Sequence, residues 1–155
     1  MRKNLRSTEP PDGFHCQADV LPPDEEGELI EHIRVLPLKE FEFHGYIGKR
    51  RTISFGWHYD FGDQRLRQTD ELPQFLQRLR ERAATFANLA TTDLPHALVT
   101  EYGPGAAIGW HRDKGVFDDV VGISLLSPCN FRLRRKIGSG WARYSITFRS
   151  LRAKR

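Results

Sequence analysis

A chain of 155 residues suits one domain of ordinary size and leaves no room for a second catalytic module. Hydrophobic residues at 39% and charged residues at 28% fit a folded globular chain and exclude disordered, collagen-like and coiled-coil architectures. The net charge of +4 hides an asymmetry, because residues 132–155 carry nine of the 24 Lys and Arg and no acid, a basic edge suited to an anionic partner or to solvent.

Residues 1–13 are polar, with Pro10, Pro11 and Gly13, and are expected to form a flexible arm ahead of a single domain over 14–155. The run PPDEEGELIEHIRVLP opens on prolines and acids, spaces Leu29, Ile30 and Ile33 helically and stops at Pro37, which predicts a short amphipathic helix. Alternation around Glu40 to Phe43 and Arg51 to Phe55, punctuated by glycines, predicts strands and loops. The strongest helix signal follows Pro73, where Leu72, Phe75, Leu76, Leu79, Ala83, Phe86, Ala87 and Ala90 recur at three and four residue steps and should pack on a sheet. From Ala97 the pattern changes to short β-forming runs, ALVTEY, AIGW, VVGISLL, NFRLRR and RYSITF, so the second half is expected to be antiparallel β-structure.

No window approaches the ~18 consecutive apolar residues of a membrane span, and the opening residues lack an apolar signal core, so the expected location is the cytoplasm. With only Cys16 and Cys129 there is no disulfide framework, and any metal must rest mainly on His and carboxylate.

The sharpest local feature is EYGPGAAIGWHRD. On a strand, His111 and Asp113 share a face, and an imidazole beside a carboxylate can supply two ligands of a facial triad that leaves positions open on Fe(II). Taken alone the triplet is a weak signal that arises often by chance, and it more often describes a surface His bonded to a neighbouring Asp. The second feature is RYSITFRSLR, which puts Arg143, Ser145, Thr147 and Arg149 on one face of a strand. A face with Arg at both ends is either solvated or the inside of a polar pocket, where Arg grips a carboxylate in a bidentate fork.

Together these segments resemble the AlkB-like family of Fe(II)- and 2-oxoglutarate-dependent oxygenases over roughly residues 41–152. The residues that carry the likeness are Tyr102-Gly103-Pro104-Gly105, His111-Arg112-Asp113 and the strand from Arg143 to Arg149. The resemblance implies an α+β fold with a double-stranded β-helix (jelly-roll) core and one or two N-terminal helices packed on the sheet. It implies Fe(II) held by His111 and Asp113, 2-oxoglutarate held by Tyr102, Arg143 and Arg149 with Thr100 and Ser145 as further polar contacts, and O2 as co-substrate. The reaction it implies is oxidative dealkylation of a base in single-stranded DNA or RNA, as in repair enzymes, the base being unstacked into the pocket.

One departure matters as much as the match. The triad needs a second His between the H-x-D segment and the first Arg, and this chain has no His after His111. Only 29 residues separate Asp113 from Arg143, which reads as loss of strands near residues 136–142. Asp118, Asp119 and Cys129 are the only later acids or thiols, and His44, His58 and His96 lie upstream, read as loop or substrate-side polar residues. Weak or absent turnover is therefore expected. Upstream, KRRTISFGWHYDF offers Arg50, Arg51, Trp57, His58 and Tyr59 for phosphate contact and base stacking, or else a hairpin with aromatics in the core and cations in water. Alternatives to the dealkylase are an oxygenase acting on protein or lipid, a noncatalytic nucleic-acid-binding β-domain and a cupin-like metal-binding sandwich. A monomer is expected.

Overall fold

The computed structural model describes residues 13–43, 46–109, 111, 113–128 and 143–151, with the side chains of residues 42, 43, 46–48, 143–146, 148 and 150 outside that description. The N-terminal arm through residue 12, His44, Cys129, the run NFRLRR and the glycine-rich turn at 136–142 also lie outside it.

The chain is α+β, with two helices and antiparallel sheets. Helix α1 (Pro23–Arg34) begins at a proline, which suits a first-turn position that has no hydrogen bond to make, and carries Asp24, Glu25 and Glu26 against the positive end of its dipole. Helix α2 (Gln74–Ala87) ends on Asn88 in the left-handed conformation, whose N–H reaches back to Ala84 and Thr85. That cap stops the helix before Ala90, three residues short of its apolar repeat, and leaves Phe86 exposed at the helix surface.

Five strands, β1 (Lys39–Phe43), β2 (Tyr46–Phe55), β5 (His96–Tyr102), β6 (Phe117–Leu125) and β7 (Arg143–Leu151), form one sheet in the order β1-β2-β5-β7-β6. A separate hairpin pairs β3 (Trp57–Asp60) with β4 (Arg65–Gln68). The helices cover one face of the large sheet. Leu29, Ile30 and Ile33 from α1 and Leu76, Leu79, Ala83 and Ala84 from α2 pack with Phe55, Ala97, Val99, Val121, Ile123 and Leu125. His32 stacks on Phe75, and Arg82 bonds both Glu25 and the Val20 carbonyl, which fixes one helix against the other.

Two local devices position the opposite face. Gly56, at positive φ, takes the chain from β2 into the hairpin so close to β5 that a Cβ there would land on the Pro95 carbonyl oxygen. In β6 a bulge between Phe117 and Val120 breaks the alternation that keeps Val121, Ile123 and Leu125 on the helix side, and Phe117 turns toward His96 and Arg149. The run AIGW, expected as a strand, is irregular where described. Residues 103–109 and 113–116 make no ladder, because Pro104 cannot donate to one and Gly105 turns the chain at positive φ. No described helix is long and apolar enough to cross a membrane.

Candidate functional site

Alternation along β5 assigns its side chains. Ala97 and Val99 belong to the helix-side core, so His96, Leu98, Thr100 and Tyr102 occupy the other face. Thr100 and Tyr102 are buried there although no helix covers them. The ladders then fix which positions stand beside them: Arg50, Thr52 and Ser54 of β2 oppose Tyr102, Thr100 and Leu98, while Arg143, Ser145, Thr147 and Arg149 of β7 oppose Tyr102, Thr100, Leu98 and His96. Three strands thus line up a row of hydroxyl-bearing positions between positions that carry arginine. For Arg143 and Ser145 the backbone position is described, and their side chains lie outside the described residues.

Arg149 is the best-defined charge on this face. Its side chain is only 13% exposed, its guanidinium lies 5.1 Å over the Phe117 ring, and Nη2 stands 3.7 Å from Asp113 Oδ1. Burial lowers its pKa, while Asp113 first and Tyr102 second act to raise it, so both are electrostatic neighbours. Its Nε is sealed from solvent and bonds to no described residue. Arg50 lies 3.8 Å over the Phe41 ring and is hydrogen bonded to the Tyr102 side chain; burial lowers its pKa and Tyr102 opposes that.

Asp113 and Lys114 reach from Arg149 to the hairpin across this face. Asp113 meets Arg149 on one side, while the next residue, Lys114, places Nζ 5.5 Å from the Tyr59 ring centre and 5.4 Å from that of Phe61. Phe41, Tyr59 and Phe61 pack edge to face into one aromatic group. His111 is exposed, with Nδ1 2.9 Å from the Gly109 carbonyl. The H-x-D pair therefore sits on a loop and not on a strand, and strand alternation does not align its two side chains.

Of the positions read from the sequence, the structure brings Arg50, Thr100, Tyr102, Asp113 and Arg149 to one face. Arg51 goes elsewhere: it opposes Glu101 on β5 and is paired with it at 2.7 Å, on the helix side of the sheet. Trp57 opposes Gln68 in the hairpin, and Tyr59 joins the aromatic group.

His96, read from the sequence as a loop or substrate-side polar residue, is instead a buried residue at the start of β5. It is 2% exposed, opposes Arg149 in the ladder and packs against Phe117 with ring centres 5.0 Å apart. Burial, then the charge on Arg149, then His58 push its pKa down to about 3, so the imidazole is neutral at ordinary pH. Its Nδ1 is sealed and bonds to no described residue. Counting by twos back from Tyr102 through Thr100 reaches His96, a signal available without coordinates.

The donor chemistry splits in two. A largely buried Arg149 that keeps one unsatisfied donor and has Tyr102 as an electrostatic neighbour fits an oxyanion of the carboxylate type. An iron ion is served less well, since among the described residues no group of three or more His, Cys, Asp or Glu could hold a metal ion. His111 and Asp113 would supply two ligands where a facial triad needs three.

A family model described as the 2OG-Fe(II) oxygenase superfamily matches residues 16–149. No curated protein matches the chain.

Proposed function

Because the chain belongs to the 2OG-Fe(II) oxygenase superfamily, we propose that it is an AlkB-like domain that binds 2-oxoglutarate and recognises alkylated bases in single-stranded DNA or RNA. Membership implies Fe(II) and 2-oxoglutarate in general, with O2 as co-substrate. When bound, such a centre supplies an oxidant that dealkylates a base through its N-alkyl carbon. The residues of this chain fit the dicarboxylate, whereas the iron pair lacks a third described donor, so turnover by this chain is weak or absent. The finer fold reading, a double-stranded β-helix cut short before Arg143, belongs to the same proposal, as do a monomeric state and a cytoplasmic location.

The observation that carries this reading is Arg149: a cation almost wholly removed from water, held beside Asp113 and Tyr102, with a donor left over. A sealed donor without a partner is costly, and a carboxylate is the ligand that a guanidinium fork accommodates. Thr100 and Tyr102 are buried on the same face, and the Phe117 ring lies 5.1 Å from the Arg149 guanidinium. Support for a nucleic-acid substrate comes from the aromatic group Phe41, Tyr59 and Phe61 with Arg50 and Lys114 on its rings, a surface on which a base can stack while cations meet phosphate. The shortage of metal donors among the described residues favours one further reading, a noncatalytic nucleic-acid-binding domain built on the same fold.

Anaerobic titration with Fe(II) and 2-oxoglutarate separates the two. Appearance of the metal-to-ligand charge-transfer absorption, and its loss in His111→Ala, supports an assembled centre. Salt-dependent binding of single-stranded oligonucleotides with no such absorption and no 2-oxoglutarate consumption supports the binding domain. A chain that binds neither ligand refutes both.

A further inference from the structure

His96 and Arg149 stand directly opposite each other on β5 and β7, and each keeps one sealed nitrogen that bonds to no described residue, Nδ1 of the imidazole and Nε of the guanidinium. Native interiors seldom leave two polar atoms unsatisfied on one ladder pair, and each costs the desolvation of its group unless something bonds to it. Side chains on directly opposed positions of antiparallel strands have their Cβ atoms roughly 5 Å apart, within reach of one small ligand. Both residues pack on Phe117, which the bulge in β6 turns onto them, so one aromatic wall bounds both.

The charges around the pair select the ligand. Arg149 is positive, and its described ion partner, Asp113, stands 3.7 Å away, beyond hydrogen-bond length. Burial first, then Arg149 from β7 and His58 from β3, act against a proton on His96, so the imidazole offers an N–H without adding a second buried cation. A neutral N–H donor next to a guanidinium suits a carboxylate, whose two oxygens accept from both at once.

We propose that His96 is a further cosubstrate-binding residue, holding jointly with Arg149 one carboxylate group of the dicarboxylate, with Nδ1 as the donor. The assignment rests on the reading of the site as a 2-oxoglutarate site. It also gives a reason for a histidine at a strand position where burial would be served better by Val or Leu.

The test is calorimetric titration of the full chain with 2-oxoglutarate, glutarate and acetate, comparing wild type with His96→Leu and His96→Asn, together with 15N NMR of the histidine rings in the wild type. Loss of one charge-assisted hydrogen bond predicts that His96→Leu binds 2-oxoglutarate about tenfold or more weakly, and that His96→Asn, which keeps an N–H, recovers part of the loss. The His96 Nδ1 resonance should move on ligand addition, a change that a purely structural histidine would not show and that needs no variant to fold. Equal binding by wild type and His96→Leu, with an unmoved Nδ1 resonance, overturns the role of His96 and leaves the cosubstrate reading standing. If glutarate or acetate binds through His96 and 2-oxoglutarate does not, the clamp stands and the cosubstrate reading falls. If none of the three binds, both fall.

Discussion

The buried His96 makes the fold sensitive to mild acid, by an amount that follows from its surroundings. In the unfolded chain an imidazole takes up a proton near pH 6.5, while in the fold burial and the charge on Arg149 hold it off until about pH 3. Between those values the unfolded state binds the extra proton, so stability rises with pH across this window and is lost as pH falls below 6.5. At neutral pH the group contributes almost nothing. Going from pH 7 to pH 5 it removes about 2 kcal/mol, since each unit of pH below the unfolded pKa is worth about 1.4 kcal/mol. Because pH 5 lies well above the folded value, the size of the drop is governed by the unfolded imidazole. Urea unfolding followed by tryptophan fluorescence at pH 7, 6 and 5, on wild type and His96→Leu, isolates the effect, since every other titrating group is common to both. The variant should lose about 2 kcal/mol less over that range. Parallel loss in the two proteins would refute the claim that His96 is buried neutral beside a cation.

Other perturbations test the scaffold and the rim of the site. Gly56→Ala combines positive φ with a clash on the Pro95 carbonyl and should cost about 2 kcal/mol or more, read as a lowered thermal midpoint. Leu76→Ala, at a fully buried position of α2, should cost about 2–5 kcal/mol in chemical denaturation, whereas Phe86→Ala on the exposed side of the same helix should cost far less. Arg50→Ala should weaken binding to single-stranded oligonucleotides and lower the salt slope by about one, while Arg51→Ala, removing a cation paired with Glu101 on the helix side, should leave both nearly unchanged. Asp113→Asn should reduce Fe(II) retention in a dialysis assay, since it removes the one carboxylate of the H-x-D segment.

Much of the fold was legible because its periods are local. Leu29, Ile30 and Ile33 announce α1, and the strands ALVTEY, VVGISLL and RYSITF appear as β5, β6 and β7 with small changes at their ends. What was not legible depends on contacts distant in sequence. The separation of Arg50 from Arg51 onto opposite faces follows from alternation, yet which face is polar becomes clear only when the ladder pairs Arg51 with Glu101. The strand expected at AIGW fails because Pro104 and the turn at Gly105 override the β-propensity of the residues that follow. Phe117 reaches the site through a bulge, an extra-residue irregularity that no hydrophobic period encodes.

His96 shows how these two kinds of information combine. As one histidine among six it carried no more weight than His44 or His58. Its parity with Thr100 and Tyr102 places it on the polar face, but alternation alone says nothing of its partner. The β5–β7 register supplies that partner, and the partner is the arginine with a donor to spare. The proposed dicarboxylate cradle draws on strands β5 and β7, whereas the two proposed iron ligands lie on the H-x-D loop, with Asp113 3.7 Å from Arg149 and His111 exposed beside Gly109. In the proposed reading the two halves of the site draw on different parts of the chain, so a stretch between Asp113 and Arg143 that carries no His would cost a metal ligand and leave the β5–β7 ladder in place.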